Sequence, residues 1–348
     1  MCFRSVTRWI AGVIIILCAC GKPAEVAVQF PSAGPFENLS AYHLYHGDLS
    51  DLIPHPQVMP YTVTNELFTD YAWKQRLVWM PDSVQAQVQP DGMIRFPSGT
   101  ILAKTFYYPA DFRHPEGNKK IIETRLLINR GGQWEPLTYL WNEAQTEAVL
   151  DKIGTSLPIE WLDEIGQPKN TTYLVPNKNQ CKSCHRYGDV IEPVGPKYTN
   201  MVTAEANQLN EWVNKGFLKP LPATLTSLKL MPHWQDTSAS IDQRAKAYLD
   251  VNCVHCHRPA GPGGTSGLYL DFLATRPEDW GINKPPVSAG TGSGNLHFDI
   301  APGQSDASIL VYRMESLDPG VMMPELGRTM VHQEAMHVIR DWIDQLPH

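Results

Sequence analysis

A chain of 348 residues exceeds what one hydrophobic core usually serves, so two or three domains are expected. Hydrophobic residues make up 43% and charged residues 19%, which excludes an intrinsically disordered chain. A formal charge of −7 without any Lys/Arg-rich run excludes a nucleic-acid-binding protein.

The N-terminus reads as an export signal. Arg4 and Arg8 form a positive leader, and Trp9 to Cys18 is a short apolar run. That run is shorter than the roughly 20 apolar residues a membrane-spanning helix needs. It ends in Leu17-Cys18-Ala19-Cys20, which resembles the lipobox of bacterial lipoproteins. The resemblance implies removal of a signal peptide, residues 1–19, and acylation of Cys20. Cys18 is the poorer acceptor because Leu17 stands where a small residue is expected. Secretion without acylation is the alternative. The mature protein is thus expected on the periplasmic side of a bacterial membrane, as a lipoprotein of the outer rather than the inner membrane, or free in the periplasm if not acylated. Cleavage deletes Arg4 and Arg8 and no acid, so 27 basic residues face 36 acidic ones and the charge becomes −9. Such a surface suits basic or dipolar protein partners.

Residues 20–40, rich in Gly, Pro, Ala, Ser and Glu, read as a tether. Residues 41–175 are expected to form a β-rich, sandwich-like domain. Gln75 to Met80, Thr100 to Tyr107 and Ile121 to Ile128 are strand-like runs bounded by Pro-Asp, Pro-Ser-Gly and Asn-Arg-Gly-Gly turn signals. Alternation puts Ile122, Leu126 and Ile128 on one face and pairs Glu123 with Arg125 on the other. Trp134, Tyr139, Trp141 and Trp161 supply core material. Lys104, Glu123, Arg125 and Glu147 read as a salt-bridged or solvated sheet face with no catalytic role.

Thr171 to Val175 reads as a strand that Pro176 stops, and Asn177 can cap a short helix over Cys181 to His185. A helix-like stretch, Ala204 to Asn214, has Leu209, Trp212 and Val213 as its apolar residues. Ser240-Ile241-Asp242-Gln243 fits a capping box opening a helix through Asn252, with Ile241, Ala245, Tyr248, Leu249 and Asn252 on one face. Glycine-rich stretches (Gly261 to Gly267, Gly290 to Gly294) and a short helix, Asp306 to Arg313, follow. The last helix, His332 to Leu346, carries Ala335, Val338, Ile339, Trp342, Ile343 and Leu346 on one stripe. His332 and His337 lie five apart on it and are expected to be solvated.

Two pentapeptides stand out, Cys181-Lys182-Ser183-Cys184-His185 and Cys253-Val254-His255-Cys256-His257. Cys-x-x-Cys-His is the attachment pattern of covalent haem c: two thiols on one helical turn add to one porphyrin, and the following His supplies an iron ligand. Zinc would need four ligands gathered from pairs 69 residues apart (184 to 253), each trailed by a His that a zinc ribbon does not require. A thioredoxin-type dithiol does not require that His either, and a disulfide within either pair would close a small, strained loop. Two haem c groups are therefore expected, with His185 and His257 as proximal ligands. His255 reads as a surface residue.

Residues 237–348 resemble a class I c-type cytochrome domain: a helix entering Cys-x-x-Cys-His, a methionine beside a proline, and a C-terminal helix. The resemblance implies Met323, before Pro324, as the sixth ligand of the second haem, with Met322 as the register alternative. For the first haem segment, residues 176–236, Met231 lies 46 residues after His185 (185 to 231) and precedes Pro232, a spacing compatible with the same role. His233, Met201, His43 and His46 are its rivals, and the strand before Cys181 departs from the class I pattern.

The whole mature chain is similar to bacterial dihaem cytochromes that join a β-rich domain to two haem motifs. The likeness rests on Asn65-Glu66-Leu67-Phe68-Thr69-Asp70-Tyr71, Ile122-Glu123-Thr124-Arg125-Leu126-Leu127 and His297-Phe298-Asp299-Ile300-Ala301-Pro302-Gly303. Fold class α+β, with a mostly helical cytochrome region, is expected. The implied function is electron transfer with a periplasmic or membrane dehydrogenase or cytochrome as partner. The alternatives are a peroxidase- or oxidase-like enzyme with an open first haem, and a haem subunit docked to a periplasmic dehydrogenase.

Overall fold

The computed structural model describes residues 26–203, 207–287 and 289–347. The expected signal peptide, Cys20 and the start of the tether lie outside the described residues. The chain is mixed α+β, with a β-rich N-terminal region. No helix among the described residues is long and apolar enough to cross a membrane.

The strands run β1 (Met59–Pro60), β2 (Trp73–Trp79), β3 (Gln87–Val88), β4 (Ile94–Arg95), β5 (Ile101–Pro109), β6 (Lys119–Arg130), β7 (Gln133–Trp141), β8 (Ala148–Asp151), β9 (Thr155–Leu162) and β10 (Pro168–Val175). Six of them form one antiparallel sheet in the order β1-β2-β5-β6-β7-β8, and β9 pairs with β10 in a separate hairpin. The strand-like runs read from the sequence fall on β2, β5, β6 and β10. In place of a second full sheet, two different coverings close the faces. Leu77, Ala103, Leu126 and Leu137 stand in register across four strands. They pack under the segment that carries Leu39, Tyr42, Leu44 and Leu52. The opposite face divides into two apolar clusters. One joins Val78 and Leu102 to Leu209 and Trp212, and the other joins Phe106, Tyr108 and Ile122 to Ile159, Trp161 and Tyr173 of the hairpin. Each such buried side chain contributes roughly 2 kcal/mol.

Inside the first layer a line of hydroxyls is satisfied end to end. Tyr45 Oη pairs with Thr105 Oγ1 at 2.7 Å, Thr105 with Thr124 at 2.8 Å, and Trp141 Nε1 donates to Thr124 at 3.1 Å.

Strand β6 corrects the simple alternation. The register slips between Phe106, opposite Glu123, and Tyr107, opposite Ile121, so Ile122 is an extra residue in a β-bulge. Ile121 therefore joins Leu126 and Ile128 in the first layer, while Ile122 crosses to the second.

The helices are α1 (Lys178–His185), α2 (Tyr198–Met201), α3 (Gln208–Asn214), α4 (Ile241–Cys253), α5 (Ile309–Glu315) and α6 (Gln333–Asp344). Asn177 caps α1 and Ser240 caps α4 as expected, each in a full capping box, a pattern the sequence reading names only at Ser240. A 3₁₀ turn at Ser305–Ala307 takes Asp306, so α5 begins three residues later than expected. Tyr248 and Leu249 of α4 share a core with Val338, Ile339, Trp342 and Ile343 of α6, and Trp280 fills the gap beside them. Much of 176–236 is built into the sheet's own core: Tyr198, Met201, Leu209, Trp212 and Leu225 pack on Met59, Tyr61 and Val78.

A strap, residues 65–71, ties these parts together. Asn65 donates to the Pro232 carbonyl and accepts from Trp234 N–H, each at 2.8 Å. Phe68 N–H reaches Asn252 at 2.8 Å. The buried Asp70 carboxylate accepts from the N–H groups of Thr329 and Met330, both at 2.8 Å, and from the Thr329 hydroxyl at 3.0 Å.

Candidate functional site

Cys181, Cys184 and His185 occupy the last turns of α1. The helix stands over β7, where Thr138 Oγ1 lies 4.0 Å from Cys181 Sγ. It faces a cavity of about 130 Å³ lined by Lys104, Arg125, Cys181, Cys184, His185 and His332, among others. Here the sequence reading of Lys104, Glu123 and Arg125 as a solvated or salt-bridged face is half right. Glu123 and Arg125 do pair, at 2.9 Å, and Tyr173 donates to Glu123 at 2.7 Å. The row is not open to solvent throughout, however: Glu123 is fully buried, while Lys104 and Arg125 are half-buried and line the cavity of the first cysteine motif. Burial, with Arg76, Arg125 and Lys74 nearby, pushes the Lys104 ammonium down to about 7.

His185 is oriented by backbone. Its Nδ1 donates to the Glu192 carbonyl at 2.8 Å, and Glu192 N–H returns a bond to the His185 carbonyl at 2.8 Å. The loop between them carries β11 (Arg186–Tyr187) and β12 (Val190–Ile191). The other ring nitrogen, Nε2, keeps a lone pair, and burial pushes the imidazole down to about 4, so it is neutral.

The second motif repeats this design with different parts. Cys253 ends α4, and the chain turns so that His257 Nδ1 lies 3.1 Å from Ser266 Oγ. The Ser266 hydroxyl is itself donated to the Gly263 carbonyl at 2.7 Å, so His257 Nδ1 is the donor and Nε2 is again left with its lone pair. Burial pushes this imidazole down to about 4 as well. The glycine-rich stretch makes the approach possible. A Cβ on Gly261 would lie 2.4 Å from the Cys256 carbonyl oxygen, and one on Gly263 would lie 3.2 Å from the His257 ring. The adjoining cavity, about 330 Å³, is lined by Cys253, Cys256, His257, Leu270, Trp280 and Met323, among others. Met322, the register alternative, is buried and does not appear in that lining.

The structure brings Met323 to the cavity of His257 but does not bring Met231 to the cavity of His185. Met231 is buried among Ala247, Val251 and Phe272, and Thr199 Oγ1 donates to its sulfur at 3.7 Å. Met201 is core, His233 is exposed, and His43 and His46 lie on the far N-terminal segment. Besides His185 itself, the histidines that line the first cavity are His255 and His332. Expected to be solvated, His332 instead stands just before α6, stacked on Phe68 at 4.2 Å and 3.1 Å from Tyr248 Oη through Nδ1. Burial pushes it down to about 4. His337 is exposed.

His255 is also placed differently from expectation. It is buried, 5% exposed, and its Nδ1 has no hydrogen-bond partner among the described residues. One of its ring nitrogens and the sulfurs of Cys184 and Cys256 lie within 4.8 Å of one another. The hydrogen bond from Cys256 pulls the Cys184 thiol down, and the same bond holds Cys256 up. None of Glu192, Ser266, His255 or His332 carried a local signal. Glu192 and Ser266 reach their histidines from a short way along the chain, Glu192 through its backbone, whereas His255 and His332 meet groups distant in sequence. Comparison with protein-family models, with curated proteins and with solved structures finds no match for the chain.

Proposed function

We propose that the chain is an extracytoplasmic dihaem c-type cytochrome that carries electrons between redox proteins. One observation carries this: each Cys-x-x-Cys-His run opens on a cavity, and each terminal His has Nδ1 tethered while Nε2 keeps its lone pair. A zinc ribbon or a redox dithiol gives no reason to build that histidine geometry twice.

The residues fit covalent haem. Cys181 and Cys184 would hold one group and Cys253 and Cys256 the other, with His185 and His257 as proximal ligands. Bound there, iron porphyrin supplies one-electron redox chemistry. Glu192 and Ser266 fix the tautomer and aim of the two imidazoles, which raises their basicity as ligands. Leu270, Trp280 and Ile300 give the second cavity an apolar wall. Met323 is the candidate sixth ligand there, a soft sulfur donor that favours the ferrous state. The proposed setting is the periplasm, with Cys20 acylated and a dehydrogenase or cytochrome as partner.

A second reading has its own observation. Cys184, His255 and Cys256 form a three-donor cluster of the kind that binds a soft metal such as zinc. The two are separated by pyridine haemochrome assay, intact mass and metal content of the mature chain, made in a host with c-type maturation machinery. Two haems per chain are expected. Zinc without haem would end the cytochrome proposal. Low-spin spectra unchanged by cyanide mark a carrier, whereas a cyanide-sensitive high-spin component marks a peroxidase- or oxidase-like enzyme.

A further inference from the structure

The two cysteine motifs, 69 residues apart in sequence (184 to 253), meet in space. The sulfurs of Cys184 and Cys256 lie within 4.8 Å of one another, with a ring nitrogen of His255 at the same distance or less from each. The two cavities share a wall, since Cys184, Asn252, His255, Met314 and Met323 line both. Contacts beside the seam hold it closed. Gly188 N–H donates to the Ala260 carbonyl at 3.0 Å, and the Arg258 guanidinium stands 4.2 Å over the Tyr187 ring. Both contacts join the loop after the first motif to the loop after the second.

The imidazole in this seam is 5% exposed and leaves Nδ1 unpartnered, an arrangement that packing alone does not favour. In a c-type attachment each thioether sulfur lies two covalent bonds from the porphyrin edge. Sulfurs this close therefore bring the edges of two separately anchored rings together.

Resting on the dihaem assignment above, we propose that the two haems meet edge to edge at the Cys184–Cys256 seam and work as one electronically coupled pair. An electron that enters at one iron passes to the other inside the chain. The ferrous partner is oxidised as the ferric partner is reduced, with no proton or further reactant needed. His255 is buried in the seam beside both sulfurs. The pair gives the protein two stored electrons at one address, which suits a partner that delivers or takes two in succession.

The test uses the full mature chain carrying its haems. Intact mass first counts haems, and Soret circular dichroism then reads their interaction. A coupled pair gives a bisignate Soret couplet, and Cys253→Ser/Cys256→Ser, with one haem left, replaces it with a single-signed band. Two haems by mass with a single-signed Soret band would overturn the coupling and leave the dihaem assignment standing. Fewer than two haems in the wild-type chain would overturn both. Should the double variant fail to fold, electron paramagnetic resonance of the oxidised wild type decides. Signals broadened by spin–spin interaction support the pair, and two unperturbed low-spin signals refute it.

Discussion

Tyr45 shows how a single buried hydroxyl sets a pH limit. Its phenol is bonded to Thr105 in the first layer, and burial pushes it up to about 12. In the unfolded chain the same group titrates near 10. Between about pH 10 and about 12 the unfolded state therefore holds fewer protons than the folded state, and stability falls as pH rises through that window. Tyr45→Phe is expected to lose about 1 kcal/mol at pH 7, for the missing hydrogen bond, but to fall less steeply above pH 10. Urea denaturation of both proteins at pH 7 and pH 11 checks this, and parallel losses would refute it. At this scale the sequence shows local spacing and hides tertiary placement. The roles proposed for Cys181, Cys184 and His185 rest on their spacing. Nothing near His332 says that Phe68, far back in the chain, will stack on it.

Among the elements, α1 is the fragile one. It has eight residues, none of them buried, and a helix that short is marginal without help. Its capping box at Asn177 supplies much of that help, because the Asn177 side chain accepts from the N–H groups of Asn179 and Gln180. Asn177→Ala is expected to cost about 1 kcal/mol and to speed amide exchange selectively across Lys178–His185. Ser240→Ala removes an equivalent cap from α4, but that helix is thirteen residues long and packed on α6, so its exchange should stay slow through the buried turns. Exchange measured by mass spectrometry distinguishes the two, and equal responses would show that the cap is not what holds α1. The caps, the apolar stripe of α6 and the strands β2, β5 and β10 were all legible, since each is a local pattern. The β-bulge was not, because a one-residue offset is decided by what packs on each side of β6.

The whole molecule depends on the strap at residues 65–71, whose sequence gave no hint of its mechanical part. Asp70 alone accepts from three donors on Thr329 and Met330, joining the β-rich region to the segment just beyond Met323. Lys197 adds a second tie, reaching the buried Asp250 carboxylate of α4 at 2.7 Å. Asp70→Ala leaves two backbone donors unpaired and is expected to cost on the order of 3 kcal/mol. It should also uncouple the helical end from the β-rich region, the helical end melting first. A calorimetric trace identical to that of the wild type would count against the strap.

The bulge in β6 has a consequence for chain length. Ile122 is the supernumerary residue: without it, Ile121 would still face Leu126's layer, and Tyr107 would still lie opposite Ile121. This strand thus has one position where a residue can be lost while every pairing survives. A one-residue loss among its regularly paired neighbours would turn half the ribbon over, trading isoleucines for lysines in the interior.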